Sequence, residues 1–429
     1  MAEISQNTPK KRGLIEALDL DMRLIGMIGA LLAIALAFNL ATGGNFLSPR
    51  NIFNLTIQTV SVAIMATGMV FVIVTRNIDL SVGALLAICS AMMAMTQARW
   101  LPGALGLELG SPLIAPLTVL VGLAVGTLIG AMNGWLIGYL TIPAFIVTLG
   151  GFLIWRFAGW YLTSGQTIAP LDQTFLLFGG AEGTLGETWS WIAGLALSLV
   201  ALWAIWSARR SKLAHEFPVK PLGAELALAG VAVAAILGFV AVLNAYAIPK
   251  GKLRRMFEAQ GLELPDGYSA GHGLPFSVLI LIAVAVAMTL VARKTRFGRY
   301  IFATGGNPDA AELSGINTRM LTVKVFALMG FLCGLSAIVA SARLQSHAND
   351  IGTLDELRVI AAAVIGGTAL AGGSGTIYGA ILGALIMQSL TSGMGMVGVD
   401  SPLQNIVVGA VLVLAVWIDI QYRKRWGKP

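Results

Sequence analysis

Long apolar runs with almost no charge constrain this chain more than any other feature. A run of about 18 residues is enough to cross a hydrocarbon core of roughly 30 Å as a helix. Such runs recur from one end of the chain to the other, and only 11% of its 429 residues are charged, against roughly 25% in soluble domains. We therefore predict an all-α, polytopic integral membrane protein with about 10–12 transmembrane or re-entrant helices.

Apolar windows place twelve predicted segments along the chain. They lie at 24–41, 57–74, 79–97, 116–138, 144–162, 190–206, 225–245, 276–292, 321–341, 357–371, 376–392 and 403–420. Two neighbouring pairs leave the number of complete crossings open. The fourth and fifth segments are joined by a short turn around Pro143, and the tenth and eleventh by the Gly-Gly-Ser-Gly sequence at 372–375. Each pair fits either two full crossings or a pair of half-helices.

The basic residues predict which way the chain crosses the membrane. On this topology 18 Lys and Arg residues lie on the side of the N-terminus and 7 on the opposite side. The positive-inside rule then places both termini in the cytoplasm. The predicted parts are a cytoplasmic tail at 1–23, a transmembrane domain at 24–420 and a second cytoplasmic tail at 421–429. The basic cluster at 250–255 departs from the rule, because it falls in a loop predicted to be external.

Several function classes lack their sequence signatures. Cys89 and Cys333 lie within apolar runs and the three histidines are far apart, so we predict no disulfide framework and no metal site. The chain carries no phosphate-binding G-x-x-x-x-G-K-[ST] motif and no loop long enough for a catalytic domain. The scattered basic residues do not form a nucleic-acid-binding surface. We predict a transporter with no catalytic residues and no cofactor of its own.

Asp79 is the most informative charged residue near an apolar segment, because almost no loop separates the segments on either side of it. A carboxylate at membrane depth is costly unless it has a partner or a function. Three interpretations remain open. Asp79 caps the next helix or pairs with Arg76, with Asn77 sharing the turn; it lines a solute path or gate together with Ser81; or it is the proton-coupling acid of a secondary transporter, although no second buried carboxylate is predicted beside it.

Two further breaks contain candidate pathway residues. Phe145 follows the Thr-Ile-Pro break at 141–143, and Gln166 lies just beyond the same segment. The glycine-rich break at 372–375 is also a candidate, because unwound backbone at membrane depth survives only where protein or a water-filled cavity satisfies it. Gly379 and Gly383 have the spacing of closely packed helices.

The sequence at 296–316 encodes a short helix in a predicted cytoplasmic loop. Asn307 is a good N-cap, Pro308 suits the first helical position, and Gly315 is suited to the left-handed conformation that ends a helix. Asp309 favours the positive end of the helix dipole. The small face of Ala310 and Ala311 beside Leu313 cannot bury itself alone. It is expected either to lie against the membrane domain or to enter a groove on another protein.

Three motifs together resemble one protein family. The loop R-F-G-R-Y-I-F-A-T-G-G-N-P-D-A-A-E-L-S-G-I, the earlier N-I-D-L-S-V-G-A, and I-P-A-F-I-V-T-L-G followed by S-G-Q-T are similar to sequences in the inner-membrane permease subunits of ribose, galactose, arabinose and xylose ABC importers. The likeness extends from about 24 to 420. It implies a multi-pass protein of the cell inner membrane that translocates a monosaccharide.

The resemblance also implies partners and a coupling surface. In such permeases a short loop helix docks on a separate ATPase subunit, which hydrolyses the ATP. Two permease copies form the pathway, and a periplasmic binding protein delivers the sugar. Within the predicted coupling loop at 293–320, the residues that this assigns to coupling are Gly305, Gly306, Asn307, Pro308, Asp309, Ala310, Ala311, Glu312, Leu313 and Gly315.

The expected substrate is inferred from an insertion in the sequence and not from the chemistry of a binding site. The chain is longer than ribose-type permeases, and the extra loop and span at 207–275 resemble the xylose-permease branch, so D-xylose is the expected sugar. Two other classes stay open on the residues alone: an ion-coupled secondary sugar transporter with Asp79 as the coupling acid, and a membrane scaffold or receptor component without a pathway.

Overall fold

The computed structural model describes residues 22–258 and 261–426. The predicted all-α class is confirmed, since the described residues form helices and no β-strand. The helices are α1 (Met22–Ala41), α2 (Pro49–Val74), α3 (Val82–Met95), α4 (Ile114–Gly138), α5 (Ala144–Thr163), α6 (Gly186–Ala214), α7 (Leu222–Asn244), α8 (Lys250–Glu258), α9 (Phe276–Lys294), α10 (Arg296–Gly306), α11 (Pro308–Leu313), α12 (Thr318–Leu344), α13 (Asp355–Ile365), α14 (Ile377–Met396) and α15 (Ser401–Trp426). A π-helical turn at Thr96–Trp100 and a short helix at Leu101–Leu105 extend α3.

Eleven helices in the described part of the chain are long and apolar enough to cross a membrane, and they correspond to eleven of the twelve predicted segments. The pair around Pro143 consists of two full-length helices, α4 with 25 residues and α5 with 20. The segment predicted at 357–371 is a half-helix, which is one of the alternatives that the sequence left open, whereas its neighbour α14 is full-length. Helix α13 has only 11 residues, or about 16 Å, because Gly366 and Gly367 end it early.

The twelfth crossing combines a non-helical segment with α13. The backbones of Ile168 and His347 pair through two hydrogen bonds of 3.0 Å just beyond the ends of α5 and α12. Gly373, beyond the far end of α13, donates to the carbonyl of Val74 at the opposite membrane face, where α2 ends. Residues 348–373 therefore run from one face to the other. Residues 349–354 form consecutive turns, in which Thr353 N donates to the Asp350 carbonyl at 3.0 Å, and α13 follows them.

An arginine satisfies the unwound half of this crossing. The Nη1 atom of Arg156, in the middle of α5, donates to the carbonyls of Asn349 at 3.1 Å and Ile351 at 2.6 Å. These backbone groups have no helical partners, and an unpaired carbonyl in hydrocarbon costs several kcal/mol. The sequence prediction had left Arg156 without a role, and it had placed the break in this region at 372–375. That turn instead lies at the membrane face.

Two compact units make up the chain by its internal contacts. Among the described residues, one comprises 22–26 and 186–273, and so holds most of the predicted insertion at 207–275. Within it, Gly194 of α6 packs against Val240 of α7, and Arg209 forms an ion pair of 2.7 Å with Glu225. These contacts make α6 and α7 an antiparallel hairpin.

The other unit comprises residues 27–185 and 274–429, and α2 lies at its centre. Nearly all of the α2 side chains from Val60 to Val74 are fully buried. Beside it, α4 carries glycines at every fourth position from Gly122 to Gly138, and this row faces Gly330 and Gly334 of α12. The two backbones approach closely because neither has a side chain at the contact. The Gly379 and Gly383 pair serves the same purpose, as predicted, by packing α14 against the backbone of Gly366 and Ala362.

We expect Gly130→Leu to destabilise this unit strongly. A Cβ atom at Gly130 would overlap the backbone of Phe326 and Gly330, and overpacking of this kind costs about 1–3 kcal/mol or more. The measurement is the thermal unfolding midpoint of the purified protein. Gly150→Leu is the matched control, because a Cβ atom at Gly150 meets nothing within 4 Å. Equal midpoints for the two variants would contradict the assigned packing.

Candidate functional site

The loop at 293–320 forms two consecutive helices, α10 and α11, each with its own N-cap. The Thr295 hydroxyl accepts from Gly298 N at 3.1 Å, and the Asn307 Oδ1 atom accepts from Ala310 N at 3.0 Å. Pro308 occupies the first helical position of α11, and Gly315 has a φ of 84°. The structure thus forms the short helix as the sequence predicts, with six residues. The preceding helix, α10, was not predicted.

Helix α11 buries one side chain and exposes the rest. Ala311 is only 5% exposed, whereas Leu313 is 90% exposed. Ala310, Asp309 and Glu312 are exposed as well. The sequence left two alternatives open for the small face of this helix, and the structure divides it: Ala311 packs on the membrane domain and the others face outward. Leu313 is therefore free of the membrane domain. Ala311 is therefore unsuitable as a test of docking, because a bulky residue there would disturb the fold.

Arg76 ties α10 to the connector that carries Asp79. Its backbone is left-handed, with a φ of 63°. Its Nε atom donates to the carbonyl of Gly305 at 2.9 Å, and its Nη2 atom donates to that of Gly306 at 2.8 Å. A Cβ atom at Gly305 would overlap the Val74 carbonyl, so only glycine permits this close approach. Three segments, the ends of α2 and α10 and the 372–375 turn, therefore meet at one membrane face.

Asp79 is 2% exposed and binds its own connector. Its Oδ1 atom accepts from the backbone N of Ser81 at 2.8 Å and from the hydroxyl of Ser81 at 2.6 Å. Burial raises the pKa of the Asp79 carboxyl, and the hydrogen bonds from Ser81 oppose that rise. Arg76 does not pair with Asp79, since its guanidinium is directed to the α10 carbonyls. Asp79 does not cap α3 either, because Ser81 is the N-cap residue and no side chain caps that helix; Asp79 instead closes a local turn with Ser81.

Neighbouring helices hold this connector on two sides. The Asn133 amide of α4 donates to the Ser81 hydroxyl at 3.4 Å, and the Thr148 hydroxyl of α5 donates to the carbonyl of Ile78 at 3.3 Å. A rigid-body movement of α4 or α5 would therefore displace the connector. We call residues 75–81, with these two contacts, the inner connector.

The five predicted pathway or gate residues do not form one cluster. Asp79 and Ser81 bind each other, whereas Asn77 turns back and donates to the carbonyl of Thr75 at 3.1 Å. Phe145 is 55% exposed at the first turn of α5. Gln166 lies beyond the other end of α5 and accepts from Arg99 at 3.0 Å. A full helix of about 30 Å separates the last two residues.

Comparison with known proteins identifies the family. Residues 51–416 match the family model described as the permease component of the branched-chain amino acid transport system. The chain belongs to this permease family. No solved structure matches it.

Full-length relatives bear out the resemblance seen in the motifs. The xylose transport system permease protein of Haemophilus influenzae is 36% identical over 93% of this chain and 96% of its own length. The xylose transport system permease protein of Escherichia coli K12 is 36% identical over 99% of this chain and 98% of its own length. The ribose import permease protein of E. coli K12 is 32% identical over 92% of each chain. This permease is therefore related to sugar permeases over its whole length, and these relatives are transport proteins and not enzymes.

Several residues that organise the permease escaped the sequence analysis. Neither Arg156 nor Glu356, whose side chain is only 6% exposed, is among the residues predicted from the sequence. Among the described residues Asp79 is therefore not the only buried carboxylate, since Asp172 and Glu356 are buried as well. Charges within apolar segments were the signal that would have found Arg156 and Glu356, since such charges rarely occur without a partner or a function.

Proposed function

We propose that this permease is the membrane-spanning subunit of an ATP-driven importer that translocates D-xylose. The observation that carries the proposal is the full-length identity of 36% to xylose permeases, against 32% to a ribose permease. The family description names branched-chain amino acids. The full-length xylose relatives support a sugar as the substrate.

The coupling helix supports an ATPase as the energy source. Helix α11 presents Ala310 and Leu313 outward on a rigid base formed by Ala311 and the N-cap of Asn307. An apolar side chain held in this way is suited to a groove on a separate subunit. That subunit binds and hydrolyses the ATP, and this chain needs no cofactor. The residues 305–313 and Gly315 then receive the movement of the ATPase.

Movement at α11 reaches the pathway through Arg76. Closure of the ATPase displaces α10, and the two hydrogen bonds of Arg76 transmit that displacement to the inner connector. Since Asn133 and Thr148 hold the same connector, α4 and α5 move with it. Such rigid-body movement opens the pathway alternately to each side. Asp79, Asn77 and Ser81 belong to this inner gate, whereas Phe145 and Gln166 lie at opposite ends of α5.

The orientation follows from charge. The face that carries α10 and α11 also carries most of the Lys and Arg residues in loops, so it is the cytoplasmic face of the inner membrane. With twelve crossings, both termini lie on that side. The opposite face receives a periplasmic binding protein, which selects the sugar. A second copy of the permease completes the pathway.

We expect xylose uptake to require ATP and the partner subunits. The permease is purified from its native membrane with a tag, the proteins that accompany it are identified, and the complex is reconstituted with the binding protein. The proposal is supported if the reconstituted complex takes up xylose when ATP is supplied inside the vesicles and takes up none under an ion gradient alone. Uptake by the permease alone under a proton gradient, lost in Asp79→Asn, would overturn it in favour of a secondary transporter.

A further inference from the structure

A polar cavity of about 330 Å³ opens within the membrane unit, separate from the coupling surface and the inner connector. Gln58 of α2, Arg343 of α12, Gln388 of α14 and the unwound half of the twelfth crossing line it. Gln58 lies nine residues from the outer end of α2, or about 14 Å. The cavity therefore occupies the outer half of the membrane. Its volume is in the usual range for small-molecule sites, about 300–1,000 Å³.

The charges that line this cavity balance. Arg343 and Arg358 contribute two positive charges, and Asp350 and Asp355 two negative ones. Only one pair is in direct contact, with Arg358 Nη1 at 3.3 Å from Asp355 Oδ1. A site of zero net charge gives no Coulomb preference to a cation or an anion. It favours a neutral ligand that offers many donors and acceptors.

Two arginine atoms at the cavity lack protein partners. The Nε atoms of Arg343 and Arg358 are buried, and neither has a hydrogen bond within the described part of the chain. Both Nε atoms have almost no accessible surface, so a ligand in the cavity would have to meet these guanidinium groups through their Nη atoms. Gln388 donates to Gln58 at 2.8 Å across the cavity, and each of these amides keeps further donor or acceptor capacity.

We propose that this cavity is a transit site for a neutral monosaccharide, in which sugar hydroxyls bridge the arginine donors and the aspartate and glutamine acceptors. This inference rests on the proposed function and adds a binding site within the permease itself. Hydroxyl groups both donate and accept, so one sugar satisfies groups of both kinds. The site is suited to weak binding, with a dissociation constant of roughly 1–10 mM, because a transported molecule must also leave it.

Protection of an introduced thiol tests the site directly. Leu344→Cys and Thr353→Cys place a thiol on two walls of the cavity, at positions to which the proposal gives no part in binding. The permease and its ATPase in lipid nanodiscs, without the binding protein, are labelled with a small hydrophilic thiol reagent. D-xylose at about ten times its dissociation constant is expected to slow labelling about tenfold, because only the empty site reacts. Both natural cysteines are fully buried, so the unsubstituted complex is the blank.

Gln404→Cys is the matched control, since Gln404 lies in the first turn of α15, outside the cavity lining. Glycine betaine controls for osmotic effects, and D-xylonate carries the charge that the proposed site should reject. The inference is supported if D-xylose slows labelling at both cavity positions and if neither betaine nor xylonate slows it at either position. Equal labelling rates with and without D-xylose overturn it, as does equal protection by xylonate or protection of Gln404→Cys.

The two proposals fail separately in this design. Each cysteine variant is first checked for the unfolding midpoint and ATP hydrolysis of the unsubstituted complex, so a misfolded reporter is recognised. ATP-driven xylose uptake by the unsubstituted complex, without protection at the cavity, removes the transit site and leaves the importer. Absence of any ATP-driven uptake removes the importer itself.

Discussion

Ala310→Arg is expected to abolish ATP-driven uptake and to leave the permease folded. Ala310 is exposed on α11, and its side chain makes no contact that the fold requires. An arginine there would meet the groove of the ATPase with bulk and an unpaired charge. Loss of a central contact at an interface costs about 2 kcal/mol or more, which corresponds to about 30-fold in affinity.

The measurement combines three readouts: retention of the ATPase during purification, ATP hydrolysis and xylose uptake. Leu313→Asp should behave in the same way, since Leu313 is 90% exposed. Ala214→Arg is the control. Ala214 is another exposed alanine, and it is the last residue of α6, whose end is predicted to lie on the cytoplasmic side. Full uptake by Ala310→Arg, or an equal loss in Ala214→Arg, would contradict docking at α11.

Local rules were enough to predict most of the helices. The Asn307 cap, Pro308 at the first position and Gly315 beyond the end are chemical signals carried by single residues, and the structure forms α11 where they predict it. Apolar length likewise located eleven of the spans, because the hydrocarbon core sets one scale for all of them. These signals do not depend on which helices are neighbours.

The twelfth crossing could not be predicted in this way. Residues 348–354 are not helical, and their stability depends on Arg156, which lies almost 200 positions earlier in the chain. Apolar windows assume a continuous helix, so they extended the predicted segment beyond the end of α13 to residue 371. Contacts between distant segments decide the conformation here, and no local pattern contains them.

The inner connector shows the same division. The sequence indicated that Asp79 needed a partner, and the near-absence of a loop suggested Arg76 or the next helix. Which partner Asp79 has depends on the carbonyls of Gly305 and Gly306. They accept hydrogen bonds from Arg76, and Asp79 accepts from Ser81 instead. The candidate residues were thus recognisable from their chemistry, but their pairing required the fold.

Arg76→Asn is expected to uncouple ATP hydrolysis from uptake. Asparagine tolerates the left-handed backbone at this position, so the substitution removes the guanidinium and keeps the φ of 63°. Hydrogen bonds to a charged group contribute about 1.5–3 kcal/mol each, and both links between α10 and the inner connector are lost. We expect uptake to fall about tenfold to a hundredfold while the ATPase still binds and hydrolyses ATP.

Arg76→Lys distinguishes the geometry of the link from its charge. A lysine ammonium is a compact point charge and does not reproduce the fork that spans two carbonyls, so only partial recovery of uptake is expected. Arg99→Asn is the matched control, because Arg99 is an exposed arginine bound to Gln166 beyond the other end of α5. Normal uptake in Arg76→Asn would show that α10 transmits its movement by another route, and loss of the ATPase would show that Arg76 shapes the docking surface instead. The uptake-to-hydrolysis ratio decides between these outcomes, since only a transmitting residue lowers that ratio while ATPase binding stays intact.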